Sequence, residues 1–516
     1  MRVRRLDRWE LAILGLLAAV AFAPLVVVLL RAAIEGAVWS GSDARNVSDQ
    51  LLYLAWIRDA GEHGLASNRY GFLAGDHVFL HPMFTPSGLV WKLGVDPRLA
   101  YALWKPVALV VLFAGFLAYV RRLEERPWPR RAALLLALFA FTPAAAIVRP
   151  LDIGGAQGRE DAGLLAEELF AAGRLWGYMP AAIAIGLMPL FLLGAERVLD
   201  PSRRAPGRGR GWYLAWTGAA GLLATWLRPW QGEVLIAVLA GVAAWGGLGR
   251  RYLALAPVVA ATALPLGYYF LLGELDPAWE LARDESGELA HYVPAVVVLG
   301  LAPLAALAIV GAASPADDEQ ERMLRAWPLA ALAVYVLSPS SAYHAFNGLV
   351  LPLMILSVRG WCRLGLGRAL AIAAVAALLA GAAVHGARVL RDDPGDPPHL
   401  FEPGEGDALE ALADAPRPGG VLSAYRLGAA VPAFSERSSW LGHPAWTPDW
   451  DARNTATIAL FNGNLAPSDA RSFVESTGAA YVLSDCRTSH DISEELGSAI
   501  GSSRRFGCAT LHELAR

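Results

Sequence analysis

The chain has 516 residues and is 55% hydrophobic with only 18% of its positions charged, against about 25% in an ordinary soluble protein, and its mean hydropathy is +0.39. That composition excludes a water-soluble globule, and so high an apolar fraction excludes a disordered chain. With 44 basic and 47 acidic residues the net charge is −3, so no basic field exists to hold a nucleic acid and none is expected as a partner.

In chain order, the basic opening MRVRRLDR leads into an apolar run over 9–30. The run is too long for the apolar core of a signal peptide and no small-residue cleavage pattern ends it, so it reads as a first membrane span. Further apolar runs cover 99–120, 132–148, 176–199, 212–227, 233–248, 252–272, 292–310, 327–337, 347–358 and 369–387. The expected fold is therefore an all-α polytopic membrane bundle of about 11 spans, because a hydrocarbon core of about 30 Å needs roughly 20 apolar helical residues. Two hairpins, 212–248 and 327–358, have arms that look short and read as tilted or re-entrant.

Arginines in the short connections orient the bundle. Arg2, Arg4, Arg5 and Arg8, then Arg121, Arg122, Arg126, Arg130 and Arg131, then Arg203, Arg204, Arg208 and Arg210 fall on one side, followed by Arg250, Arg251, Arg322, Arg325, Arg359, Arg363 and Arg368. The opposite connections are poor in basic residues. A multi-pass protein of the cell membrane with a cytoplasmic N-terminus follows, with outer pieces at 32–98, 149–175 and from 388 onward.

The expected domains are a membrane domain spanning 1–390, a Pro/Gly/Asp-rich linker 391–407 and a small extracytoplasmic C-terminal α/β domain 408–516. In the last, GGVLSA, SSWLGH and AAYVLSDC read as short strands and PSDARSFVESTG as a helix ending at Gly478. Cys486 and Cys508, 22 residues apart in this oxidising compartment, are expected to close a disulfide; the alternative is two buried thiols.

The outer pieces carry the candidate chemistry. In SDARNVSDQLLYLAWIRDAGEH, Ser48 reads as a helix N-cap and Asp49 falls in the first turn, where the helix dipole favours a carboxylate. Tyr53 and Trp56 share its face and are expected to wall a substrate site; the plain alternative makes them interfacial anchors. The second outer piece offers Asp152, Glu160, Asp161, Glu167 and Glu168 as a second acid for a metal, with Glu160 and Asp161 the one adjacent pair, or else Glu160 to Glu168 is a solvated helix face with Arg159 and Arg174 as partners. Asp76, His77 and His81 raise the question of a metal, but Pro82 and Pro86 argue for extended chain and against a helical His pair. At the apex of the first hairpin stand Arg228, Gln231 and Glu233, with Arg228 either a phosphate clamp or the partner of Glu233; at the second, Tyr343, His344 and Asn347. His344 is either a proton-handling group or a structural hydrogen-bonder.

The stretch from Asp49 to Asp59, D-Q-x-x-Y-x-x-x-x-R-D, resembles the start of the first extracytoplasmic loop in the GT-C superfamily of membrane glycosyltransferases, and the run from Val431 to Arg437 followed by Gly442-His443 resembles their post-bundle segment. The resemblance implies a GT-C-like bundle and transfer of a sugar from a polyprenyl-phosphate-linked donor to a glycan, lipid or protein acceptor at the outer face of the lipid bilayer. It implies that Asp49, with Asp43 in reserve, acts as base or ligand, and it leaves open a divalent cation, Mg or Mn, on Asp49, Glu160 and Asp161. Arg437, His443, Trp446 and Asp449 would face the acceptor or else serve packing and turns. The competing functions are a lipid-linked sugar transporter or flippase and a non-catalytic scaffold of the cell envelope.

Overall fold

The computed structural model describes residues 5–73, 75–288, 291–313, 315–316, 318–391, 395–488 and 490–515. Arg2 and Arg4 of the basic leader and residues 392–394 of the expected linker lie outside the described residues. The chain divides into two compact units: Met1–Phe22, Lys105–Leu271 and Ser286–Arg388 form one, and Ala23–Trp104, Leu272–Glu285 and Val389–Arg516 the other. The first outer piece thus groups with the C-terminal segment, where the sequence pattern places it with the membrane domain.

Among the described residues six helices are long and apolar enough to cross a membrane: Arg8–Glu35, Pro97–Leu123, Met179–Leu199, Arg250–Leu275, Pro294–Ala312 and Ala369–Arg391. The chain is a multi-pass membrane protein, but the expected count of eleven is not supported. The run 132–148 breaks because Pro143 disfavours helix before it: the helix Pro127–Phe139 stops at an extended Ala140, and a short helix, Ala144–Val148, follows. The hairpin arms differ in the opposite sense. The arm read as 327–337 is the helix Glu319–Leu337, since hydropathy ends at charged residues whereas the backbone ladder does not. Its first turns pair Glu319 with Arg322 and Glu321 with Arg325.

The helical unit is held by close packing and by ion pairs at helix ends. Pro294–Ala312 and Val350–Leu364 touch through Gly311 and Gly360; a Cβ on either would lie 1.9 or 2.0 Å from a carbonyl oxygen, of Leu356 or Leu307. Only glycine permits that approach, the usual device where lipid removes the hydrophobic drive for helix association. Arg122 pairs with Glu196 and Asp318, and Arg359 with Glu124 at 2.5 Å and Glu321 at 2.8 Å. Arginines on which the expected orientation rests are therefore also structural cross-links.

The second unit contains the α/β part. Strands β1 (Val38–Trp39) and β2 (Leu400–Phe401) pair antiparallel. Strands β3 (Val421–Ser423), β4 (Tyr481–Ser484), β5 (Ile500–Phe506) and β6 (Ala509–Leu514) form a sheet of order β3-β4-β6-β5, parallel only between β3 and β4. The helix Pro467–Thr477 stops at Gly478, whose φ of 68° is left-handed. It packs Ala470 and Val474 on Leu422 and Val482, with Leu460, Phe461 and Leu496 completing the core. SSWLGH is not a strand; Ser439 alone bridges, to Tyr70 and Val421. Some of the expected linker is folded, since it contains β2 and the start of the helix Pro403–Ala413, whose Glu402 and Glu405 form a reciprocal cap.

Cys486 and Cys508 are disulfide-bonded with Cα atoms 4.8 Å apart, joining the end of β4 to the β5–β6 turn. The bond closes a loop of 22 residues, so replacing both cysteines by serine should lower stability by about 3 kcal/mol. A thermal melt of the variant is expected to show an earlier loss of the sheet while the membrane helices persist.

Candidate functional site

The expected site residues fall into two polar constellations, one in each unit. In the second unit the helix Val47–His63 begins after Asn46, whose φ of 51° is left-handed, so Asn46 and not Ser48 is the N-cap. Asp49 sits in the first turn as expected. Its Oδ1 accepts from His443 Nε2 at 2.6 Å. His443 Nδ1 in turn accepts from the backbone N–H of Ala445 at 3.2 Å, which puts the ring proton on Nε2 and aims it at the carboxylate. The Gly442-His443-Pro444 turn that presents the imidazole needs glycine, because a Cβ on Gly442 would lie 1.8 Å from the Tyr70 ring. Tyr425 lies beside this pair, and burial, reinforced by the Asp49 charge, pushes its phenol up to about 12.

Several residues expected near Asp49 do other work. Tyr53 and Trp56 are 9% and 6% exposed. Tyr53 stacks on Phe84 at 5.0 Å, and Trp56 packs against Phe79, Trp279 and Trp446. They form an aromatic core rather than the wall of a substrate site, and Trp446 belongs to the same core. Arg58 donates to the carbonyls of Ala433 and Phe434. Arg437 donates to those of Leu412, Ala415 and Arg417, closing the end of a helix. Asp43 is buried, its backbone N–H and C=O both bonded to Gln50.

In the helical unit the centre is Glu168, on the helix Gly155–Leu169. Its side chain is 8% exposed and takes an ion pair from Arg174 at 3.4 Å, a contact from His344 Nδ1 at 3.2 Å and a hydrogen bond from Asn347 Nδ2. Arg228 Nη2 lies 3.3 Å from the same His344 nitrogen. A nitrogen cannot donate to a carboxylate and accept from a guanidinium at once, so Nδ1–H faces Glu168 and Arg228 acts through its charge. Gln231 and Asn347, both fully buried, donate to the His344 carbonyl and fix the apex of the second hairpin. Tyr343 stacks on Tyr292 at 5.1 Å.

The electrostatics of this cluster are uneven. Burial opposes ionisation of Glu168, but Arg174, with His344 and Arg228 behind it, overrides burial and holds the carboxyl down at about 2. Burial, followed by the Arg228 charge, lowers His344 to about 4, so the ring is neutral at pH 7. Two guanidiniums thus face one carboxylate, a net charge of about +1. Arg174 Nε, Arg228 Nε, Gln231 Oε1 and Asn347 Oδ1 are buried with no hydrogen-bond partner among the described residues. The two guanidinium N–H groups among them are donors that the oxygens of an anion would satisfy, whereas the two amide oxygens call for a donor.

Glu233 hydrogen-bonds to Ser338 and makes no ion pair with Arg228 among the described residues. Asp161 is buried, accepting from Gln157 Nε2 and the Val293 N–H, while Glu160 is exposed. These neighbours in sequence point apart and do not form a ligand pair. Glu168, seven residues beyond Asp161 on the same helix, is buried as well, and it is the acid that meets Arg174 and His344, whereas the solvated-face reading places it at the surface. Its signal in the sequence is Arg174 six residues on, in a segment short enough to fold back.

No protein-family model matches the chain, and no curated protein matches it. Solved structures do. The apo oligosaccharyltransferase of Archaeoglobus fulgidus superimposes with a TM-score of 0.52 at 12% identity, over 96% of this chain and 73% of that one. ArnT of Cupriavidus metallidurans, bound to undecaprenyl phosphate, does so with a TM-score of 0.50 at 14% identity, over 96% and 97%. The chain therefore shares the fold of these two structures, the fold that the resemblance to the GT-C superfamily implies.

Proposed function

We propose that the chain transfers a sugar from a polyprenyl-phosphate carrier to a hydroxyl or amide acceptor at the outer membrane face, by direct inverting displacement. The observation that carries this reading is the cluster of buried Glu168 and Arg174 with half-buried Arg228 and His344, cationic by about one charge and with both guanidinium Nε–H groups unpaired among the described residues. Phosphate matches the charge and the unpaired guanidinium donors: it is anionic and presents several acceptor oxygens to guanidinium forks. As the glycosidic bond to the carrier breaks, negative charge grows on that phosphate, and a fixed cation stabilises it more in the transition state than in the ground state.

Asp49 takes the acceptor proton in this scheme. His443 is a positioning residue, because its Nδ1 is held by the Ala445 N–H and its Nε2–H is spent on Asp49. A divalent cation, if used, would supply Lewis acidity; no step of the scheme is routed through one.

The test is carrier binding. Protein purified in mild detergent should retain polyprenyl phosphate detectable by native mass spectrometry, and Arg228→Ala should lose it by roughly tenfold or more, the cost of one desolvated charge pair. Equal retention by wild type and variant would remove Arg228 from the phosphate site.

A further inference from the structure

The helix Val47–His63 ends beside a third cluster, in the second unit and separate from the Asp49–His443 pair. Asp59 and His63, one turn apart on that helix, meet His77 from the extended segment that follows. The two imidazoles stack face to face with centroids 3.8 Å apart and an interplanar angle of 17°. Both Nδ1 atoms turn toward the same carboxylate, His63 at 3.2 Å from Oδ1 and His77 at 3.0 Å from Oδ2. Asp59 is 2% exposed in its side chain and is oriented from behind: Ser67 donates through N–H at 2.5 Å and Oγ at 2.9 Å, and Arg69 through Nε at 2.9 Å and Nη2. Among the described residues this is the group of His, Cys, Asp and Glu side chains whose donor atoms, all within 4.8 Å, lie close enough to hold one ion.

We infer that Asp59, His63 and His77 form a binding site for a transition-metal dication of the zinc class, which staples the end of the helix Val47–His63 to the segment around His77. Tetrahedral coordination with bonds of about 2.0–2.1 Å requires donor atoms about 3.3–3.4 Å apart; the carboxylate–imidazole distances of 3.0 and 3.2 Å need only a slight widening, and side-chain rotation brings three donors that lie within 4.8 Å of one another onto one ion. Two imidazoles and one carboxylate suit zinc, cobalt, nickel or copper and not magnesium or calcium, which demand oxygen shells. Ser67 and Arg69 occupy the place of the outer hydrogen-bonding groups that orient a ligating carboxylate. A cleft of about 100 Å³ lined by Arg58, Asp59, His63 and Arg69 opens onto the site and gives the ion a way in. Neither Asp49 nor His443 belongs to this group, so the inference stands apart from the proposed transfer chemistry.

The experiment uses the full chain in detergent, stripped with a chelator and titrated with Co²⁺ and with Zn²⁺. One equivalent of Co²⁺ should produce the visible d–d bands of a four-coordinate site, and Zn²⁺ should displace it and raise the thermal midpoint. His63 is 43% exposed, so His63→Ala removes a ligand without opening the core; it and His77→Ala should each weaken binding by more than about tenfold and abolish the thermal shift. Size-exclusion elution of the stripped variants checks that they remain folded. The inference is overturned if the wild type takes up no equivalent of either ion, if both variants bind as the wild type does, or if uptake is lost only in Asp49→Asn.

Discussion

Asp49→Asn should leave the fold intact and cut sugar transfer by about 10²–10⁴-fold, the usual contribution of a positioned general base. The substitution is close to isosteric: an asparagine Oδ1 still accepts from His443 Nε2, the bond that now spans 2.6 Å, so the Gly442-His443-Pro444 turn keeps its anchor. What disappears is the negative charge and the capacity to take a proton. The helix N-terminus beside position 49 favours that charge by a few tenths to about 1 kcal/mol, so thermal stability should move only slightly. The expected pattern is a fall in kcat with KM for the carrier unchanged, since the carrier is assigned to other residues. His443→Gln should show a smaller fall, because the carboxylate remains and only its orientation is lost. Its activity should sit between wild type and Asp49→Asn, and the double variant should be no worse than Asp49→Asn alone. Transfer assayed with a polyprenyl-phosphate-linked sugar reads all three; wild-type rates in Asp49→Asn would remove this carboxylate from the reaction.

How much of the fold and site is legible without a structure depends on how local the signal is. The helix from Asp49 to Gly64, the strands β3 and β4 and the helix stopping at Gly478 all rest on periodicity or on a glycine that must adopt positive φ, and these appear in the structure. Strands β5 and β6 escape such a reading because five consecutive residues of β5, Gly501 to Arg505, are exposed and leave no apolar alternation. The hairpin arms read short because hydropathy treats Glu319 to Arg325 as an end, whereas ion pairs keep those residues helical. The partner of Asp49 is unreadable for another reason: His443 is 394 residues away, and a single chain carries no record of that meeting. Within the second outer piece the residue types are visible but their burial is not. Glu160 and Asp161 stand out as a pair, yet on a helix adjacent residues face apart: Asp161 turns inward to Gln157 and the Val293 N–H, and the acid that meets the arginines is Glu168.

Replacing Glu168 carries the other large consequence. Among the described residues it is the carboxylate that pairs with Arg174 and feels the Arg228 charge, so Glu168→Ala leaves the buried Arg174 guanidinium unpaired and strips Asn347 of one of its two acceptors. Breaking a buried pair from one side costs about 3–5 kcal/mol. Glu168→Gln, which keeps the volume and an acceptor for Asn347, should cost somewhat less. If the cluster binds phosphate, the variant should be rescued by ligand: with the competing carboxylate gone, polyprenyl phosphate restores charge balance, so added carrier should raise the thermal midpoint of Glu168→Gln by more than that of wild type. A purely structural ion pair predicts no such difference. The pH profile gives a second reading. The Glu168 carboxyl is held at about 2 against an ordinary 4.5, so its contribution is complete above about pH 4.5 and is lost as pH falls toward 2. His344 is lowered from 6.5 to about 4; between those values only the unfolded chain takes up its proton, and stability falls as pH drops through that window. Wild type should therefore lose stability in two acid steps. Glu168→Gln should lack the lower step and show a larger upper one, because the anion that favoured protonation of His344 is gone and the ring stays neutral to lower pH.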